Sequence, residues 1–124
     1  MSISNYLENK LLDAVFNATA FNVTCDPYIS LHTADPGETG ASEVTGGSYA
    51  RQQAAFGAAA SGALSNSANI DFAGMPAVTV THVGVWDAAS AGNFLWGGAL
   101  TASKVVNSGD TFRLPAADLD VTLD

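Results

Sequence analysis

The hydrophobic period of the chain changes once, near residue 28. Before it, Leu7, Leu11, Leu12, Val15 and Phe16 recur at spacings of four, one, three and one. That is the period of an amphipathic helix with one apolar stripe. Ser4 or Asn5 can cap it, and Asn5 followed by Glu8 resembles a capping box. Asn17 and the β-branched residues beyond it end the helix near residue 17, within a helical segment 1–20.

After residue 28 the period is two. Residues 28–33 read as a strand, entered through Asp26-Pro27 and closed by Asp35-Pro36-Gly37. Residues 35–48 are rich in Gly and carry no apolar period, so they form a long loop, a candidate for contacts with other molecules. Residues 49–56 read as a strand, 58–67 as a small-residue stretch of little core value, and 70–72 as a short strand. Residues 78–87 are the strongest strand: Val78, Val80, His82 and Trp86 fall on one face, and Thr79, Thr81, Val83 and Val85 on the other. Both faces are apolar or β-branched, which predicts a central strand covered on each side. A strand follows at 94–100, where Gly97-Gly98 permits a bulge or a close approach. Asn107-Ser108-Gly109-Asp110 between two apolar runs predicts a hairpin over 105–114. In the last strand Leu119, Val121 and Leu123 point inward with Trp86 and Phe112, and Asp118 and Asp120 point out.

One helix followed by seven or eight short strands predicts a mainly β fold: an antiparallel β-sandwich or jelly-roll-like domain over 28–124, led by the helical segment. The length of 124 residues fits one such domain.

Charge narrows the function. Lys10, Arg51, Lys104 and Arg113 face twelve Asp and Glu, for a net charge of −8. Four scattered cations cannot neutralise a phosphate backbone, so neither nucleic acid nor an anionic membrane surface is an expected partner. No run of apolar residues is long enough to span a bilayer. Glu8, Lys10 and Asp13 break any signal-peptide pattern, so synthesis in a reducing cytoplasm is expected. Cys25, the single cysteine, reads as a small hydrophobe.

No catalytic constellation stands out. There is no G-x-S-x-G elbow, and His32 and His82 lie inside strand patterns. Asp118, Asp120 and Asp124 form a sequence cluster without the Gly-bearing loop of a calcium site, and read as a solvated strand face. Gly46-Gly47-Ser48 lacks the lysine and helix of a phosphate-binding loop. No metal and no cofactor is expected. A surplus of Ala, Gly, Ser and Thr with only 13 % charged residues suits a surface packed into an assembly.

Several blocks resemble a known family. The opening Ser4-Asn5-Tyr6-Leu7-Glu8-Asn9-Lys10-Leu11-Leu12-Asp13 is similar to the start of small virion proteins of tailed bacteriophages, often labelled phage tail fibre proteins. The resemblance continues through Leu31-His32-Thr33-Ala34-Asp35-Pro36-Gly37-Glu38-Thr39-Gly40, Gly46-Gly47-Ser48-Tyr49-Ala50-Arg51-Gln52, Thr81-His82-Val83-Gly84-Val85-Trp86-Asp87, Gly98-Ala99-Leu100 and Asn107-Ser108-Gly109-Asp110-Thr111-Phe112. It implies a non-enzymatic, β-rich virion component, made in the host cytoplasm, whose partners are other phage structural proteins and further copies of itself. Two roles fit: a capsid decoration or cement protein, which the compact chain without a stalk favours, and a tail-tip, baseplate or fibre-attachment component. Outside that resemblance, a small carbohydrate- or ligand-binding sandwich is the alternative. The expected assembly contacts are Leu7 and Leu11 on the helix, and Glu38 and Glu43 on the long loop.

Overall fold

The structure, a computed structural model, describes residues 2–23 and 26–123. Cys25 and Asp124, assigned above to a small hydrophobe and to a carboxylate cluster, lie outside the described residues.

The fold is mainly β with one helix near its start, as the periods predict. Strand β1 (Ser2–Ile3) leads into helix α1 (Asn5–Phe16). There follow β2 (Tyr28–His32), β3 (Gln52–Gln53), β4 (Ala63–Ser65), β5 (Ile70–Phe72), β6 (Val78–Trp86), β7 (Phe94–Val106), β8 (Phe112–Leu114) and β9 (Asp120–Thr122). Five strands make one antiparallel sheet in the order β1-β7-β6-β2-β3, and β4 with β9 and β5 with β8 make two antiparallel ribbons. The strongest strand in sequence, β6, is the central one, and its apolar residues on both sides follow from that position.

The two faces of the sheet are built differently. Ile29, Leu31, Val80, Val83, Val85 and Trp96 face the main core, where Ile70, Phe72, Phe112, Leu114 and Leu119 meet them from the ribbons and the segment before β9. Phe72 stacks on Tyr49 at 6.0 Å between centroids and meets Phe112 edge-on at 6.2 Å. The opposite face carries Ser30, His32, Gly84, Trp86 and Phe94. A register shift between Val80 and His82 explains why Val80 joins Val83 and Val85 instead of alternating away from them. Between Val80↔Lys104 and His82↔Ala99 the ladder advances two residues on β6 and five on β7, so the extra residues lie on β7 and the alternation restarts beyond the irregularity. Trp86 is buried, but on the opposite face from the Phe112 core.

Other expectations need correcting. Of residues 49–56, the strand comprises Gln52–Gln53. The stretch 58–67 contains strand β4 and buried Asn66, whose side chain donates to the carbonyls of Ala68 and Pro115 and accepts from the Leu119 N–H. Residues 107–110 do turn, with Asp110 N–H donating to Asn107 O at 3.0 Å, but no hairpin forms. The turn is also bonded to Met75, and β7 pairs back with β6 while β8 pairs with β5. Leu123 is 53 % exposed because β9 ends at Thr122, whereas Val121 packs partly against the core.

Candidate functional site

The second face of the sheet is roofed by residues 33–43, the first part of the loop that composition singled out. The loop is seated by backbone bonds from Thr33 N–H to Ser42 O and from Val44 N–H to Leu31 O. Two glycines create the space. In the sheet, a Cβ on Gly84 would lie 2.6 Å from Ser30 Oγ and 2.7 Å from both His32 Nε2 and Phe94 Cε1. In the loop, Gly40 holds φ at +76°, and a Cβ there would lie 2.3 Å from Trp86 Cζ2.

Beneath the loop runs a chain of hydrogen bonds with one direction. Trp86 Nε1–H donates to Ser30 Oγ at 2.9 Å, because an indole nitrogen is a donor alone. His32 Nδ1 lies 2.8 Å from the carbonyl of Ala41, which can accept but not donate, so Nδ1 carries the proton. The remaining nitrogen, Nε2, therefore accepts from Ser30 Oγ–H at 2.6 Å. The whole chain requires neutral His32. Burial lowers the pKa of His32 and outweighs its bond to Ala41 and the charge of Glu43, which raise it; Arg51 and His82 lower it slightly further. Phe94 sets its ring edge-on to both His32 and Trp86, at 6.2 and 5.2 Å. Ser30 and His32 have the parts of a nucleophile and its base. Both are 0 % exposed, however, and no substrate carbonyl reaches Ser30 Oγ while the loop is seated.

Arg51 locks the edge of this roof. Its Nε and Nη2 grip the Glu43 carboxylate at 3.0 and 2.9 Å, and its Nη1 donates to Ala88 O and Ala91 O at 3.2 and 2.8 Å. The guanidinium carbon sits 3.7 Å from the Trp86 ring centroid, a cation–π contact. Glu43 also accepts from Tyr49 Oη–H at 2.8 Å, and Tyr49 Oη accepts from Leu31 N–H at 3.0 Å. Burial would raise the pKa of Glu43, but the bonds from Arg51 and Tyr49 and the charge of Arg51 hold it below the ordinary carboxylate value. Burial pushes the Tyr49 phenol well above its ordinary value; Leu31 N–H opposes the rise and Glu43 adds to it.

The residues expected to make contacts are placed as follows. Leu7 and Leu11 are half-buried against the protein's own core. Glu43 is the partner of Arg51. Glu38 is exposed, and its Oε2 accepts from Asn5 N–H at 2.7 Å, taking up one of the orphan donors at the start of α1. The cap residue is Ser4, whose Oγ accepts from Leu7 N–H and donates to Phe94 O. The capping box expected between Asn5 and Glu8 is replaced by this long-range bond from the loop. Leu12, Val15 and Phe16, by contrast, are 54, 73 and 77 % exposed. The signal for them was in the sequence: Leu11-Leu12 and Val15-Phe16 are adjacent pairs, which widen the apolar arc beyond what one contact needs.

On the side of the main core, a cleft of about 330 Å³ is lined by residues that include Trp96, Lys104, Arg113, Asp118 and Asp120. Trp96 Nε1 is buried without an acceptor among the described residues. Arg113 is paired with Asp71, and Asp120 accepts from Ser65. Among the described residues no three His, Cys, Asp or Glu side chains are grouped to hold a metal ion. No described helix is long and apolar enough to cross a membrane.

The buried polar groups of the second face thus serve the protein's own loop, and the helix carries a spare apolar face. A family model described as Podophage GP4 fiber I protein gp80 matches residues 2–122. The chain belongs to this family of podophage fibre proteins, and is therefore a phage structural protein located in the virion. The resemblance to phage tail fibre proteins found in the sequence is thus supported. A search of curated proteins gives no match.

Proposed function

We propose that this protein is a non-enzymatic component of the fibre apparatus at the phage tail, made in the host cytoplasm as one folded unit and assembled onto other virion proteins. The observation that carries the reading is the match to a fibre family over residues 2–122. It outweighs the preference for capsid decoration, which rested on compactness and the absence of a stalk. The buried Ser30–His32 link supports the non-enzymatic part, since its groups are used up in holding the loop.

Location and copy number test the proposal. Gold-labelled antibody against the protein should mark the tail end of purified virions. Quantitative mass spectrometry should give a small number of copies relative to the major capsid protein. Label spread over the whole head, with copies in step with the capsid lattice, would make it a decoration protein instead.

A further inference from the structure

Helix α1 presents two apolar faces, and the fold uses one. Leu7 and Leu11 pack against the core. Leu12, Val15 and Phe16 lie on the adjoining face at i, i+3 and i+4, so their side chains form one patch, and all three are exposed. The patch is acidic at its margins. Glu8 precedes Leu12 by one turn on the same stripe, and Asp13 precedes Phe16 by three residues. The helix's one cation, Lys10, lies over the Tyr6 ring instead, 5.7 Å from its centroid. Elsewhere Arg51 and Arg113 are bound to Glu43 and Asp71, Lys104 is exposed on β7, and the chain as a whole carries a net charge of −8.

We propose that Leu12, Val15 and Phe16 anchor the protein in an apolar groove, rimmed by basic side chains, on a different virion protein. The inference rests on the virion reading above and adds the surface and the partner's chemistry. Charge argues against a second copy of this chain as the occupant. A two-fold contact through this face would bring Glu8 and Asp13 of each copy toward those of the other, between bodies that each carry −8. A basic rim meets the same carboxylates favourably and steers the encounter. Three side chains cover much less than the roughly 800 Å² per partner of a standard interface, so the patch is the anchor of a wider contact, entered helix-in-groove.

The test uses phage lacking this gene, complemented with the full chain. The triple variant Leu12→Ser, Val15→Ser, Phe16→Ser should fold with an unchanged melting temperature and fall at least about tenfold in virion incorporation, since losing even one well-buried apolar anchor removes that much affinity. Glu8→Arg with Asp13→Arg should also lower incorporation while leaving the fold intact. A benzophenone-bearing amino acid replacing Phe16 should crosslink, in assembled particles, to a peptide of another virion protein that carries Lys or Arg beside apolar residues. Normal incorporation of the triple variant overturns the proposal, as does its unfolding, which would make the patch part of the core. Normal incorporation of the charge-reversed variant overturns the basic rim. A crosslink between two copies, or a purified dimer that the triple variant dissociates, would make the second copy the occupant. Absence of the wild-type chain from virions overturns the virion reading itself, and this inference with it.

Discussion

Arg51 sits over the indole of Trp86 at 3.7 Å and grips Glu43 with two nitrogens of the same guanidinium. One side chain therefore joins the roofing loop, the turn at residues 88–91 and the central strand. With 9 and 22 % of their side chains exposed, the two charges depend on each other. Arg51→Ala leaves Glu43 partly buried and unpaired, and should cost about 3 kcal/mol, or about 10 °C in melting temperature. Arg51→Lys should recover only part of this in calorimetry, because an ammonium keeps the charge but not the planar fork.

Stability should depend on pH in two steps. Burial puts the folded pKa of His32 below its ordinary 6.5. Between those two values the unfolded chain binds the extra proton, so stability rises with pH there. It should be full above about pH 7 and fall as the pH drops from 6.5 toward the folded pKa. The lowered Glu43 adds a second loss below about its ordinary value of 4.5, where the unfolded chain takes up a proton first. Urea melts from about pH 3 to 8 would read both slopes, and His32→Gln should abolish the upper one.

Gly40 and Gly37 separate space from backbone strain. Both have positive φ, but a Cβ on Gly37 would meet nothing within 4 Å. Gly37→Ala should cost about 1 kcal/mol. Gly40→Ala must also displace Trp86, and should cost about 3 kcal/mol or more. Equal losses in paired denaturation curves would mean that the loop can lift off the indole freely.

Asn66 ties its own turn, through Ala68 O, to the segment between β8 and β9, through Pro115 O and Leu119 N–H. Asn66→Ala should cost about 2–4 kcal/mol, since two carbonyls and one amide lose a buried partner. Hydrogen exchange should rise at the Leu119 amide before it rises in β6.

The elements with a strong period were legible: α1, β2 and the central β6. Their side chains alone determine the pattern. The roof was not legible, because a loop of Gly, Pro and Ala carries no period, and what seats it is a gap left by Gly84 and Gly40 rather than a residue. The hairpin expected around residues 107–110 shows the same limit. A turn signal is local, whereas the choice of β5 as the partner of β8 depends on where Phe72 and Phe112 bury their rings. Glu38 and Glu43 look alike as loop acids, yet Arg51, eight residues from one of them, makes Glu43 an internal strut. On α1, the doubled apolar pairs were visible, but which pair faced inward depended on the sheet below.

Ser4 sits where the helix meets the sheet: its N–H donates to Leu95 O at 2.8 Å and its hydroxyl to Phe94 O at 2.5 Å, beside the β1–β7 ladder at Ile3 and Trp96. Under the proposal that α1 is the anchored element, tension entering through it would pass at Ser4 into β7, which is laced to β6 along most of its length. Where such a pull ran along the strands, the bonds at the joint would share it in shear instead of unzipping one at a time, and the sheet would be the part that bears the load.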